Sequence, residues 1–245
     1  MNQTIELLTK HRSIRKYTDE PIEPSLFKRL IEAGQAAASS SFLQGVTIIR
    51  VTDRDKRLAF KEITGGQSYV ETAPEFLVFC ADLSRPMRCC TAHGGTPAVG
   101  LTEHFIIATV DAALYAQNVA VAAESVGLGI CYIGAIRNDA ARAAELLVLP
   151  QQVYPVFGMC IGWPDQEPEV KPRLPVSVML KENNYSIDGE AEAIAAYDEE
   201  MRTYYATRSA NIKIQGWSEQ MAGLLGKESR LHMRPFLESK GFLKR

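Results

Sequence analysis

The chain has 245 residues, 46% of them hydrophobic and 23% charged, and a formal net charge of −2. That length can bury a sizeable core, as one large domain or a domain with an appendage. The near-neutral balance removes any broad electrostatic pull toward nucleic acid or a membrane surface, so basic residues act locally if they act at all. Residues 1–10 carry an acid and no long apolar run, and do not read as a signal peptide. The longest apolar stretch, residues 105–116, is broken by Asp111 and reads as too short to span a bilayer. The expectation is a cytoplasmic protein.

In chain order, residues 1–10 read as a short helix, and residues 21–38 as a second with Pro24 in its first turn and apolar residues at helical spacing. The β-branched run 46–51 reads as a strand, and residues 56–64 as a helix stopped by Gly65 and Gly66. A buried-type strand follows at 76–80, then a loop with Gly94, Gly95 and Pro97. Residues 103–126 form an alanine-rich core helix that Gly127 ends. Strands are expected at 130–133 and 153–161, with a helix at 139–147 capped by Asp139. After Trp163 the stretch PDQEPEVKPRLP reads as extended and exposed. A last strand is expected near 176–180, then helices at 190–207, 217–225 and 229–240. Strands interspersed with helices indicate an α/β or α+β fold.

Of the five cysteines, Cys80, Cys131 and Cys160 lie in apolar runs and read as buried, reduced thiols. Cys89 and Cys90 read as neighbours in a polar, Arg-flanked loop without C-x-x-C spacing. A thiol redox or metal role stands there beside plain loop thiols. The four histidines, His11, His93, His104 and His232, show no metal-ligand spacing.

Several short segments could carry chemistry. His11, Arg12, Ser13 and Arg15 gather two guanidiniums, an imidazole and a hydroxyl that together can hold a phosphate; taken alone, those residues read more simply as a solvated basic helix end. Lys171 and Arg173 sit among prolines that stiffen the backbone, or form an ordinary linker. The run from Gly127 to Arg137 is not a dinucleotide fingerprint, because its third glycine comes two positions late and the run passes from helix to strand. Gly134 at a strand end lets backbone approach a flat ligand. Ser39, Ser40 and Ser41 offer hydroxyls after the second helix, and Gln67 offers an amide after a glycine turn.

Together, HRSIRKYTDEPI, SSSFLQ, TGGQ, D-A-A-L-x-A-Q-N-x-x-x-A-A-E-S-x-G-L-G-x-x-Y-I-G, PVFGMCIGWP and KPRLP occur in one order. In that order they resemble the group A nitroreductase and flavin reductase family over nearly the whole chain. The resemblance implies an α+β, nitroreductase-like fold with a central, mostly antiparallel sheet flanked by helices. It implies an FMN-binding core over residues 1–175. Residues 176–245 would form a C-terminal strand and helical excursion that wraps the partner of an intertwined homodimer, all in one continuous domain.

The resemblance also implies the site. His11, Ser13, Lys171 and Arg173 match positions that hold the FMN phosphate and ribityl tail, and Arg12 and Arg15 those near the flavin pyrimidine. Ser39, Ser40 and Ser41 match a loop supplied by the dimer partner, and Gln67 an amide at the pyrimidine edge. Tyr132, Ile133, Gly134, Ala135 and Ile136 match the strand end beside the flavin; close relatives often carry glycine where Ala135 stands. Arg208 matches an arginine that grips NADPH, and Lys213 falls where some relatives have a second arginine. A lysine keeps the charge and loses the bidentate fork, so NADPH is the expected donor with NADH use open. Because flavin carries the difficult step, no side-chain acid or base is required; Glu103, at the position of a pocket-rim glutamate, is the one candidate. The implied activity is ping-pong reduction of free flavin, nitroaromatics, quinones or related small acceptors. The rival readings are a flavin-binding carrier or sensor without rapid turnover, a redox protein using Cys89 and Cys90, and a phosphate-metabolite enzyme without flavin.

Overall fold

The computed structural model describes residues 2–208 and 212–245, so only the first residue of the expected 1–10 helix lies outside it. The chain forms two compact units, Met1–Glu167 with Arg230–Arg245, and Pro168–Ser229. The first unit holds α1 (Gln3–Thr9), α2 (Pro24–Gln35), β1 (Val46–Arg50), α3 (Arg54–Ile63), α4 (Ser68–Thr72) and β2 (Glu75–Asp82). It continues with α5 (Ser84–Ala92), α6 (Thr102–Ser125), β3 (Gly129–Ile133), α7 (Ala140–Leu146) and β4 (Val153–Gly162). The second holds α8 (Val176–Met179), α9 (Glu190–Thr207) and α10 (Trp217–Leu225), after which α11 (Met233–Ser239) belongs to the first unit again.

The sheet has four strands in the order β1-β2-β4-β3, every neighbouring pair antiparallel. β2 is buried along its whole length, so both of its faces are apolar. Phe76, Val78 and Cys80 join Phe60 and Ile63 of α3 and Ala143 of α7 on one face. Leu77 and Phe79 meet Tyr115, Val119 and Ala123 of α6, with Leu30 of α2, on the other. Each such side chain contributes about 1.5–3 kcal/mol by leaving water. This is the α+β arrangement that the resemblance implied, one of the two classes the element order left open.

α6 forms within one residue of the helix expected at 103–126, and its apolar character extends beyond the stretch 105–116. It runs 24 residues with a mean hydropathy of 1.5 over its most apolar window, long and apolar enough by those measures alone to cross a membrane. In the fold, Ala108, Ala112, Ala116, Ala120 and Ala123 are buried. Gly127 ends the helix with φ of +87°, a left-handed position that a Cβ would strain. Asp111 is the polar exception within it, 3% exposed. Its carboxylate accepts from the Ser39 hydroxyl at 2.7 Å and the Gly45 amide at 2.9 Å. The Ser40 amide donates to it at 3.4 Å. Those bonds hold a loop in which Ser41, Phe42 and Gln44 all take positive φ, a backbone that non-glycine residues adopt only when held.

Two readings are corrected. Cys89 and Cys90 lie on α5, not in a loop: Pro86 sits in the first turn of that helix, where its missing N–H costs nothing. Residues 176–180 form α8, a single turn closed by the Leu180 amide on the Val176 carbonyl at 2.8 Å, in place of a strand. Among the described residues the alternating valines have no ladder partner, and the local bond prevails.

Phe76→Ala is expected to lower unfolding free energy by about 3–5 kcal/mol, read from denaturant titration. Asp111→Asn, which weakens the carboxylate's grip on three donors, is expected to cost about 1–3 kcal/mol in the same assay and to raise protease sensitivity at residues 39–44.

Candidate functional site

α1 ends at Thr9, and the chain then runs extended beside β3. Ser13 forms a parallel bridge with Ile130, and the Ile14 amide donates to the Ile130 carbonyl at 2.9 Å. Ile14 is buried, and a Cβ at Gly129 would stand 2.4 Å from its Cγ1, so only glycine admits the segment this close. In extended backbone, burial of Ile14 sends its neighbours Ser13 and Arg15 to the opposite side.

His11 is held from behind. Its Nδ1 lies 2.6 Å from Glu124 Oε1, near the end of α6, and its Nε2 has no partner among the described residues. Arg12 donates to the exposed Glu167 at 3.3 Å, a weak surface pair. Burial pushes up both the Tyr69 phenol and the Cys131 thiol, and the Arg15 guanidinium beside both opposes that rise. Arg15 therefore joins the β3 segment to α4. Gln67, the residue that opens α4, has a buried amide oxygen without a hydrogen-bond partner. Ile133 and Ile136 are buried in the core, so they can offer a ligand only backbone. Gly134 and Ala135 open a 3₁₀ turn at the strand end. The Tyr132 hydroxyl donates to Gln117 at 3.3 Å.

The fold thus brings His11, Ser13, Arg15, Gln67 and the Tyr132–Ile136 edge together. It does not bring Ser39, Ser40, Ser41 or Glu103 to them within one chain. The serines lead into β1 and Ser13 lies beside β3; these are opposite edges of the sheet, three strand spacings or about 14 Å apart. Glu103 is exposed in the first turn of α6, a rise of about 32 Å from Glu124 along that helix. The Ser39 hydroxyl is already used, donating to Asp111 and accepting from the Gln44 amide at 2.7 Å.

The second unit gathers the other expected cations around one ring. Lys213 Nζ lies 4.2 Å and Lys171 Nζ 5.3 Å from the Tyr205 ring centre, and the Arg208 guanidinium 5.6 Å from both the Tyr204 and Tyr205 rings. Burial would raise the Tyr205 phenol, yet the Lys171 hydrogen bond and the charges of Lys171 and Lys213 bring it below its ordinary value. Arg173 donates to the Lys171 carbonyl at 2.8 Å, and Tyr197 donates to the Pro172 carbonyl at 3.0 Å. Among the described residues none of Lys171, Arg173, Arg208 and Lys213 forms a salt bridge, and the Arg208 Nε is buried without a partner. Such an excess of positive charge suits an anionic ligand.

Sequence reading missed Glu124, Tyr69 and Tyr205, each of which acts on a residue it did identify. A carboxylate in the last turn of a helix, where the dipole is unfavourable, was the available signal for Glu124. Cys80, Cys131 and Cys160 are buried free thiols, as expected, whereas Cys89 and Cys90 are exposed and free.

Residues 8–163 match the nitroreductase family and residues 171–245 the nitroreductase family C-terminal domain. An NADPH-flavin oxidoreductase of Vibrio harveyi is 49% identical over 245 residues, covering 100% of both chains. An oxygen-insensitive NADPH nitroreductase of Salmonella typhimurium is 44% identical over the same length, again with 100% of both covered. Among solved structures, the NADPH:FMN oxidoreductase from Vibrio harveyi complexed with NAD+ superposes with a TM-score of 0.91 at 46% identity and covers 100% of both chains. With matches spanning both its sequence and its fold, the chain belongs to the nitroreductase family.

Proposed function

We propose that the protein is an FMN-dependent oxidoreductase that draws hydride from NADPH and reduces free flavin, nitroaromatics, quinones and similar small acceptors. The observation that carries this reading is the buried, unpartnered amide oxygen of Gln67, in the helix that also presents Tyr69 to Arg15. That oxygen fits the N–H on a flavin's pyrimidine edge, and leaving it unpaired would be unfavourable by about 1–3 kcal/mol. Bound FMN would supply the hydride chemistry that no side chain here can provide.

The chain's own residues bind and orient. Lys171 and Arg173 offer charge that suits an anionic group, His11 and Ser13 take the phosphate and ribityl tail, and Arg15 lies by the pyrimidine. There Arg15 supplies a fixed positive charge that favours an electron-rich ring. Backbone from Tyr132 to Ile136 borders the ring plane, with the Ala135 methyl narrowing that edge. Arg208 and Lys213 hold the dinucleotide phosphate, and the single-point charge of Lys213 leaves NADH usable. The oxidised dinucleotide leaves before the acceptor enters the same pocket. Glu103 reaches the pocket rim and needs no proton-transfer role.

Ser39, Ser40, Ser41 and Glu103 reach a site of this kind from a second copy, which makes the working unit a homodimer. The exposed side of α6 suits such a contact, since Ile106, Val110 and Leu114 recur every fourth residue at 48%, 48% and 42% exposure. Two adjacent exposed thiols, Cys89 and Cys90, suit a reducing compartment such as the cytoplasm.

The purified protein is expected to show flavin absorption that bleaches on anaerobic addition of NADPH and returns with nitrofurazone or free FMN. A colourless protein that neither binds added FMN nor oxidises NADPH contradicts the proposal, and flavin bands that NADPH leaves unbleached favour a carrier. Arg208→Ala is expected to retain FMN and raise the KM for NADPH about tenfold or more, with the KM for NADH little changed. An unchanged KM for NADPH removes Arg208 from donor binding.

A further inference from the structure

Glu124 stands at an electrostatically poor position. It occupies the last turn of α6, where the helix dipole disfavours a carboxylate, and no basic residue of that turn offsets it. Its side chain is only 13% exposed. The charged groups around it come from the segment after α1: His11, with Lys10 and Arg12 lining the same 230 Å³ cleft. Tyr132 faces it from β3, its phenol pushed up by burial and then by the Glu124 charge. A buried carboxylate persists in such a place when a partner uses it, and the partner in contact is the imidazole of His11.

We infer that Glu124 is a positioning residue for phosphate recognition: it accepts the Nδ1 hydrogen of His11 and thereby turns Nε2 toward the cofactor's phosphate. The inference rests on the assignment of His11 to that phosphate. A carboxylate can only accept a hydrogen bond, so the proton sits on Nδ1. A phosphate on the far side also accepts, so a ring bridging the two carries hydrogen on both nitrogens and presents a charge-assisted donor. Without Glu124 nothing holds a hydrogen on Nδ1, so the ring can meet the phosphate only as an uncharged donor of no fixed orientation. The same carboxylate also fixes the ring's rotation. Ser13, two residues along and pinned to Ile130, then stands in register with it.

The test compares FMN with riboflavin, which lacks the phosphate, in titrations of the full-length protein freed of flavin. Glu124→Gln keeps the side-chain shape and removes the charge. It is expected to weaken FMN about tenfold and leave riboflavin unchanged, with an unaltered melting temperature in the flavin-free protein. His11→Ala is expected to lose at least as much FMN preference, and adding Glu124→Gln to it is expected to cause no further loss. Equal weakening of both flavins, or losses that add in the double variant, would overturn the inference, as would a Glu124→Gln protein that keeps full FMN preference. If His11→Ala too keeps that preference, the assignment of His11 to the phosphate falls as well. Should the variants fail to fold, ¹⁵N spectra of the unmutated FMN complex decide: hydrogen on both His11 ring nitrogens supports the inference, and hydrogen on Nε2 alone overturns it.

Discussion

The bond from the Ile14 amide to the Ile130 carbonyl, 2.9 Å long, is the constraint on which the rest of the site depends. It lays a short basic segment along the outer strand of the sheet. With Ile14 locked in the core, the side chains on either side have nowhere to go but outward. His11 then meets Glu124 and Arg15 meets Tyr69 and Cys131, so each cation is steadied by a neighbour from a different element. Gly129 makes the approach sterically feasible. One backbone contact, licensed by one missing side chain, therefore converts a run of polar residues into an ordered surface.

The second unit solves a different problem. Lys171, Arg208 and Lys213 repel one another, and the protein answers with aromatic faces and amides in place of carboxylates. Cation–π contacts of this kind are worth about 0.5–2 kcal/mol each and leave the net charge intact. Acidic partners would have stabilised the folded chain more but would have neutralised its attraction for phosphate. The sheet edges impose the remaining constraint. The serine loop that Asp111 holds lies by β1 and the basic segment by β3, at opposite edges of the sheet.

Much of the fold could be read from the sequence because its signals were local. The polar helices at 190–207 and 217–225 and the apolar strand at 130–133 form where the sequence places them, and Asp139 does cap α7 through the Arg142 amide. The failures came where tertiary context decides. The valines at 176 and 178 have strand-like chemistry but, among the described residues, no strand paired with them. The polar, Arg-flanked surroundings of Cys89 and Cys90 read as a loop, yet they form a helix whose first turn tolerates Pro86. In the site, His11, Arg15 and Gln67 were visible as residue types and through family resemblance. Glu124, 113 positions from His11, was not, because nothing in a linear pattern tells which carboxylate a fold will deliver to which imidazole.

The account's central claim is that these scattered groups serve one flavin. A crystal structure of the FMN-loaded protein tests it most directly. The account predicts the phosphate within hydrogen-bond reach of His11 and Ser13, the Gln67 amide at the pyrimidine edge, and the ring lying along Tyr132–Ile136. A flavin bound elsewhere, with His11 and Arg15 facing solvent and the Gln67 oxygen still unpartnered, would contradict it.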